Sequence, residues 1–386
     1  AYNGAILGPI AKLLGWIMNS MYILMEKVGI SNVGLSIILF TIVIYALMFP
    51  LTYKQQKFSK LSQKMNPELQ AVQKKYKDKK DTVSMQNMQS ETQQIYEKYG
   101  VSPTGSCVQM LIQMPILFAL YRVFMNVPAY VNQVKEAFFP MVEKLANTAG
   151  SAEFLSNSEN FSNAAMYAKQ FTNEAFTSGN AEYIQNTFID VLYKASTSEW
   201  KNLADHFPTL ATEITDTMQK MEHYNNFLGL NMGNSPSYTV HEAIAAGAWL
   251  MVVAGLAIPV LSALTQWLNV KLMPQASDAS SNNDNSSMAA SMKMMNNVMP
   301  IMSAVFCYTL PSGMGLYWIA GSVVRSVQQV LINKHIDKMD IDAQIKKNLE
   351  KRDAKLRKQG IDPAKLNNYA LSLIHISEPT RRSYIS

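Results

Sequence analysis

The chain has 386 residues, 48% of them hydrophobic, and a formal net charge of +6. Its two cysteines, Cys107 and Cys307, lie inside apolar stretches, which argues against a disulfide framework and against a cysteine-ligated metal site. Strongly apolar stretches alternate with strongly polar ones, a pattern typical of a polytopic membrane protein. Because the first residue is Ala rather than Met, we expect a removed signal peptide or a truncated start.

The first apolar segment, 6–28, is interrupted by Lys12 and followed by Glu26 and Lys27. We interpret residues 1–32 as an amphipathic helix that lies in the outer interface of the membrane. The alternative is a sixth span. It would place the N-terminus inside the cell and would leave the orientation of every later segment unchanged.

Five later segments are apolar enough to cross about 30 Å of hydrocarbon as helices. They are 33–53, 107–127, 243–268, 294–310 and 314–332. The first and third are apolar around the whole helix, which argues against buried core helices of a soluble protein. The fourth is short and only weakly apolar. The sequence therefore predicts an all-α polytopic membrane protein with a five-helix transmembrane core.

Basic residues predict the orientation of these spans. Residues 54–100 contain ten Lys and five acidic residues, and residues 333–370 contain ten Lys or Arg and six acidic residues. Residues 128–242 instead contain six Lys, no Arg and thirteen acidic residues. Because loops rich in Lys and Arg stay in the cytoplasm, we expect the N-terminus outside and the C-terminus inside.

The polar segments between the spans differ in character. Residues 54–104 are predicted to form a cytoplasmic helical hairpin, because apolar residues recur there at spacings of three and four. Residues 128–242 are predicted to be an extracytoplasmic insert, with isolated histidines and no catalytic constellation. Residues 269–293 are predicted to be a cytoplasmic linker, and 333–370 a basic cytoplasmic tail. Residues 371–386 change abruptly in character and resemble translated adapter or vector sequence.

Three long strings resemble the YidC/Oxa1/Alb3 family of membrane protein insertases, most closely its Gram-positive bacterial type. They are FPLTYKQQKFSKLSQKMNPELQAVQKKYK at 49–77, SPTGSCVQMLIQMPILFALYRV at 102–123 and MPIMSAVFCYTLPSGMGLYWIAGSVVRSVQQ at 299–329. The resemblance implies an insertase and chaperone of the bacterial plasma membrane that is not an enzyme and uses no nucleotide, metal or other cofactor. It also implies a hydrophilic groove, open to the cytoplasm and to lipid, that receives the polar outer tail of an incoming chain.

The resemblance implies where the charge of this groove should lie. Family members usually carry an Arg five residues before the proline that ends the first core span; here that proline is Pro50, and the position is Tyr45. Two arginines remain within the spans, Arg122 and Arg325, and each needs a reason because a mid-membrane Arg costs at least about 2.5 kcal/mol. Tyr45 and Arg325 each lie nine residues from an inner flanking lysine, hence at about the same depth. We therefore predict that Arg325 replaces the missing charge. The alternative for Arg325 is snorkelling inward, while for Arg122 outward snorkelling and a groove role stay equally open.

Other positions match the family's groove or its client slide, the helix surface along which a client enters lipid. Thr41 and Gln113 match polar groove positions, although each could instead form a helix–helix hydrogen bond. Pro115 should kink the second span, and the aromatic pair after the turn at 311–315 could belong to the client slide and to an interfacial belt at the same time. The residues expected in the slide and in helix packing are Met114, Pro115, Tyr317 and Trp318.

The expected partners follow from the same resemblance. They are nascent membrane proteins, membrane lipids and the translating ribosome, which the basic tail would contact; dependence on the Sec translocon and the signal recognition particle pathway stays open. The hairpin lysines expected to face incoming chains are Lys57, Lys60, Lys64, Lys74 and Lys75. The alternative function is a small-solute transporter or channel, but the sequence shows no internal repeat of the kind that class usually carries. An enzyme with an outer domain is the third alternative.

Overall fold

The computed structural model of the chain describes residues 4–77, 81–100, 105–272 and 287–358. The description does not extend to the side chains of residues 63, 105–110, 112, 113, 287–297, 341, 355 and 356. The expected artefactual tail, 371–386, and the centre of the expected linker, 273–286, lie outside the described residues, as does the side chain of Gln113.

The described residues are mostly helical, which confirms the all-α prediction at that level. The first helices are α1 (Leu7–Lys27), α2 (Val33–Leu47), α3 (Phe49–Tyr76), α4 (Thr82–Tyr99) and α5 (Gly105–Met125). The insert contributes α6 (Asn132–Glu136), α7 (Phe139–Ala146), α8 (Ser151–Ser156), α9 (Ala164–Phe171), α10 (Glu174–Thr177), α11 (Ala181–Leu192), α12 (Thr197–His206) and α13 (Ala211–Asn225), with 3₁₀ turns at Val127–Ala129 and Pro208–Leu210. Strands β1 (Asn226–Phe227) and β2 (Leu230–Asn231) pair antiparallel. The last helices are α14 (Pro236–Ala245), α15 (Trp249–Leu272), α16 (Ser287–Thr309), α17 (Ser312–Ile336) and α18 (Ile341–Lys358).

Few of the described helices have the length and apolar composition that a membrane span needs. Among the described residues, α15 alone is long and apolar enough by itself. Helices α2 and α3 satisfy the requirement only together, as a pair broken at Met48. Two further apolar stretches, Met114–Met125 and Val298–Thr309, are shorter. The described helices thus provide one or two candidate spans by this measure, and the five-span core stays a prediction.

Contacts divide the chain into two compact units, the first of which comprises residues 1–49, 111–270 and 290–328. One apolar cluster runs through this unit and takes buried side chains from α1, α2, α5, the insert helices and α17. Its fully buried aromatic residues are Tyr22, Phe40, Phe138, Phe161 and Phe188. Because the insert shares this cluster with α1 and α2, it is a packed part of the first unit and not a loose appendage.

Helix α1 has two apolar faces with different surroundings. One face is buried in the apolar cluster and carries residues at spacings of three and four: Ala11, Leu14, Met18 and Tyr22. The other face is exposed and carries Leu13, Trp16 and Leu24. A helix with a protein-facing side and an exposed apolar side suits the interfacial position expected for residues 1–32, which stays a prediction.

The second unit comprises residues 50–110, 271–289 and 329–386. Helices α3 and α4 occupy the segment predicted as a hairpin, and they enclose a small apolar cluster around Leu61, Met65 and Tyr99. Helix α4 is capped at its start by Asp81, whose side chain accepts a hydrogen bond from the Ser84 amide, and at its end by Gly100 in the left-handed conformation. These caps explain why the returning helix starts and stops where it does.

The basic tail forms the third helix of the second unit, which the sequence analysis did not foresee. Helix α18 packs against α4, and Ile345 reaches the apolar cluster of the hairpin. The Asn348 side chain donates a 2.9 Å hydrogen bond to the backbone oxygen of Tyr99. A Cβ at the next residue, Gly100, would lie 2.5 Å from the Asn348 amide nitrogen, so a larger residue there would displace Asn348 and would also be strained by the positive φ of 63°. Burial and the nearby Glu68 carboxylate raise the pKa of Tyr99 to about 12, and its phenol donates a 2.8 Å hydrogen bond to Glu68.

Candidate functional site

The polar centre of the first unit is built around Arg325 on α17. Its Nη1 donates a 2.9 Å hydrogen bond to the phenol oxygen of Tyr45 on α2. Its Nη2 donates to Ser322 Oγ at 2.9 Å and to Gln266 Oε1, on α15, at 3.3 Å. The Gln328 side chain donates a 2.9 Å hydrogen bond to the backbone oxygen of Tyr45. We call these five residues the arginine site.

The placement of these residues follows from helical spacing. On α17, Ser322 and Arg325 are three residues apart, so both lie on one face. On α15, polar residues recur at spacings of four and three, and all of them are buried: Ser262, Gln266 and Asn269. Such a stripe inside an otherwise apolar helix points toward protein, because a buried polar group needs a hydrogen-bonding partner.

The charge of Arg325 has no carboxylate partner among the described residues. Its hydrogen-bond acceptors there are a phenol, a hydroxyl and an amide oxygen, all of them neutral. The Tyr45 ring adds an electrostatic contact, since the guanidinium carbon lies 5.4 Å from the ring centroid. The Nε atom is buried without a hydrogen-bond partner in the described part of the chain. A partly buried cation with neutral neighbours retains its attraction for an incoming anion.

A second polar cluster joins α15 to α16. The hydroxyls of Ser262 and Ser303 lie 2.7 Å apart, and the Cys307 thiol donates to Ser262 at 3.2 Å. All three side chains are buried. The sequence analysis missed this cluster and also missed Gln266 and Ser322, because the three helices concerned, α15, α16 and α17, were interpreted by their mean apolar character. The recurrence of polar residues every three or four positions was the signal that could have identified them.

Thr41 and Arg122 lie in different surroundings from Arg325. The Thr41 hydroxyl is fully buried and donates to the Ile37 backbone oxygen one turn earlier, at 2.6 Å. Arg122 lies in the last turn of α5 with an exposed side chain, and its charge acts on Tyr167 and Lys194 of the insert. The structure therefore brings Tyr45, but not Arg122, to Arg325.

The residues expected in the client slide divide into exposed and buried ones. Met114 is exposed, and together with Leu111 and Phe118 it forms an exposed apolar stripe at helical spacing on α5. Tyr317 is buried, and its ring centroid lies 5.2 Å from that of Phe124. The burial of Tyr317 does not fit a surface slide and fits its other expected role, helix packing.

The remaining slide candidates are Pro115 and Trp318. Pro115 lies inside α5, which continues to Met125. Trp318 is partly buried against an apolar cluster that contains Leu230, Ile258 and Cys307. Trp318 therefore also contributes to packing within the first unit.

The hairpin lysines are engaged to different degrees within the second unit. Lys60 forms an ion pair of 2.7 Å with Asp337, and Lys57 donates to Gln344 at 3.3 Å. Lys75 forms an ion pair of 2.7 Å with Glu91. The other two expected lysines, Lys64 and Lys74, have exposed side chains. Part of the lysine set thus joins the hairpin to the end of α17 and to α18, although exposed pairs of this kind contribute little stability.

Comparison with known proteins identifies the family. The family model described as 60Kd inner membrane protein matches residues 23–192 and 183–339. The chain is 26% identical to the membrane protein insertase YidC of Oceanobacillus iheyensis over 334 residues, which cover 84% of this chain and 87% of that protein.

Two shorter alignments reach higher identity. The chain is 33% identical to the membrane protein insertase YidC of Bifidobacterium longum over 171 residues, covering 42% of this chain and 51% of that protein. It is 36% identical to the membrane protein insertase MisCA of Bacillus subtilis over 152 residues, covering 38% of this chain and 54% of that protein. These two alignments span about half the length of each relative. Because the family matches run from residue 23 to residue 339, the chain belongs to the 60Kd inner membrane protein family and is a YidC-type member of the Gram-positive kind.

Proposed function

We propose that this chain inserts other proteins into the bacterial plasma membrane and helps them fold, and that the arginine site receives the polar outer tail of each client. Its similarity to proteins named membrane protein insertase supports the function. The observation that carries the role of the site is the Arg325 charge, which has only neutral hydrogen-bonding partners among the described residues.

The proposed mechanism follows from the cost of moving polar groups through lipid. Each polar group left without a hydrogen bond in hydrocarbon costs several kcal/mol. A polar notch lined by hydroxyl, amide and guanidinium groups supplies such bonds along part of the path. The apolar segment of the client then gains burial in lipid, which drives the step without a nucleotide. The exposed stripe of Leu111, Met114 and Phe118 offers a surface of matching character for that segment.

The topology that this mechanism needs has the hairpin, the linker and α18 in the cytoplasm. It places the insert and α1 on the outer side, with five membrane-spanning segments between the two sides. The charge bias supports this arrangement, since residues 54–100 are basic and residues 128–242 are acidic. The tail α18 exposes Lys346, Lys347 and Lys351, and we propose that this basic face contacts the translating ribosome.

Purified protein reconstituted into liposomes tests the proposed function. The client is a single-span protein with a short acidic outer tail, supplied by translation in vitro. Insertion, measured by protease protection of the tail, should require the protein in the liposomes and should survive depletion of ATP and GTP after translation has ended. Insertion no higher than in empty liposomes would refute the proposal, and protein-dependent uptake of a small solute would favour the transporter alternative.

A further inference from the structure

We infer that Gly321 positions the charge of Arg325, because the absence of a side chain at position 321 lets the Tyr45 ring pack against the backbone of α17. We call this contact the seat of the ring; the inference rests on the proposed function of the arginine site. Gly321 lies one turn before Arg325 on the same helix. A Cβ at position 321 would lie 2.9 Å from Cε2, 3.0 Å from the phenol oxygen and 3.3 Å from Cζ of Tyr45. The ring therefore rests directly on the bare backbone of α17.

This seat determines where the phenol oxygen can go. With the ring against position 321, the Tyr45 oxygen reaches Arg325 Nη1 at 2.9 Å, and the ring face meets the guanidinium. The backbone at Tyr45 is fixed separately by the hydrogen bond from Gln328. Tyr45 is only 7% exposed, so its ring has little space for another position. An added methyl group at position 321 must therefore displace the ring, and with it the phenol that holds Arg325.

Displacing the phenol changes the charge without removing it. Arg325 would keep Ser322 and Gln266 as acceptors and lose both the hydrogen bond and the ring contact of Tyr45. A long arginine side chain that is no longer held turns toward the nearest water, because an unpaired charge is costly at depth. Gly321 is thus a positioning residue for charge-dependent insertion. It is needed only because position 45 carries an uncharged aromatic residue.

Gly321→Ala tests the inference against a matched control on the same helix. The control is Gly313→Ala, whose added Cβ would lie 3.0 Å from Ile37 Cδ1 and 3.3 Å from the Met232 backbone oxygen, a similar crowding away from the arginine site. Two clients differ only in the outer tail, which is acidic in one and neutral in the other. Gly321→Ala should lower insertion of the acidic-tailed client about tenfold, the factor expected for one lost hydrogen bond to a charged group, and change the neutral-tailed client little. Gly313→Ala should affect both clients equally.

A rescue variant separates positioning from general packing. Tyr45→Arg combined with Gly321→Ala supplies a cation from α2 and needs no seat on α17, so insertion of the acidic-tailed client should recover. Equal losses for the two clients in Gly321→Ala, or no recovery in the double variant, would overturn the inference. If Gly321→Ala fails to accumulate, Tyr45→Val in the same chain should restore accumulation by removing the ring. Unchanged accumulation would then overturn the inference as well.

The labelling rate of a cysteine at position 325 tests the position of the Tyr45 ring independently of insertion activity. In a background with Cys107→Ser and Cys307→Ser, Arg325→Cys is labelled with a maleimide from the cytoplasmic side, with and without the Gly321→Ala substitution. Adding Gly321→Ala should raise the labelling rate, because the Tyr45 ring no longer covers this position; an unchanged rate would overturn the seat. Normal insertion of the acidic-tailed client by Arg325→Ala would instead refute the proposed role of the arginine site, and the labelling result would still decide whether Gly321 positions the Tyr45 ring.

Discussion

Replacing Arg325 with Ala should remove the deep cation of the arginine site while leaving most of its neighbours in place. The side chain is partly buried, and the three acceptors that would lose their donor belong to Tyr45, Gln266 and Ser322. All three are neutral groups, so the variant leaves no uncompensated buried charge. The main expected effect is therefore on clients that carry negative charge in the outer tail.

The size of that effect can be bounded from the surroundings of the guanidinium. A client carboxylate about 4 Å from Arg325 would gain about 4 kcal/mol at an effective dielectric constant near 20, and about 1 kcal/mol in bulk water. Because Arg325 is neither fully exposed nor fully buried, the gain lies between these values. Since about 1.4 kcal/mol is a factor of ten in rate, insertion of an acidic-tailed client should fall by at least about fivefold.

The assay is insertion into liposomes with equal amounts of folded protein, comparing acidic and neutral outer tails. Arg325→Lys should retain much of the activity, because a point charge suffices to attract a tail and hold water. The combination of Tyr45→Arg and Arg325→Ala should restore function, because the phenol and the guanidinium meet at 2.9 Å and a charge from α2 reaches the same place. Arg122→Ala should matter less. If Arg325→Ala inserts acidic-tailed clients normally while Arg122→Ala does not, the wrong arginine has been chosen.

Three further predictions concern the surfaces on either side of the membrane. In a cysteine-free background, Lys74→Cys should be labelled only from the cytoplasm and Ser178→Cys only from outside; the reverse pattern would contradict the topology. Replacing the exposed lysines of α18 with Gln (Lys346, Lys347 and Lys351) should reduce the slope of log affinity against log salt for ribosomes by about 2 to 3, whereas an unchanged slope would argue against phosphate contact. Burial lowers the pKa of Lys194 to about 8, against 10.5 for the exposed group. Between pH 8 and 10.5 the unfolded state therefore binds more protons at this lysine than the folded state does. Stability of the insert in thermal melts should rise from pH 8 to 9.5 by at most about 1.4 kcal/mol per pH unit; Lys194→Met should abolish this rise and Lys201→Met, at an exposed lysine, should not.

The proximity of Tyr45 and Arg325 could be predicted from the sequence by counting residues, whereas the groove role of Arg325 stays a proposal. Tyr45 and Arg325 were assigned equal depth from their distances to flanking lysines, and the two side chains do meet in the structure. Counting residues could not predict which side chains contact the Arg325 guanidinium and from which direction. The seat at Gly321 depends on the direction of the Tyr45 ring, and the contribution of Gln266 depends on how α15 is rotated. Both are products of packing between helices that are distant in sequence.

The helices of the insert and the packing of α18 were the least predictable parts of the fold. Residues 128–242 lack long periodic stretches, and the insert helices there are mostly short and joined by turns. Their positions depend on a shared aromatic core that no local pattern reveals. One of the contacts between helix α18 and the hairpin is made by the uncharged side chain of Asn348, whose partner is a backbone oxygen. A contact of that kind leaves no pattern in the sequence of either helix.

The hydrogen bond between Asn348 and Tyr99 joins residues that are 249 positions apart in the chain. At synthesis rates of about 5 to 20 residues per second, the ribosome makes Asn348 about 12 to 50 s after Tyr99. For that time α3 and α4 exist without the helix that packs against them. During that interval the side of the hairpin that faces α18 is open to other chains, including the products of neighbouring ribosomes. Each newly made copy therefore passes through a period in which it has its hairpin but lacks the covering helix, and a chain whose translation stops before residue 341 stays in that condition permanently.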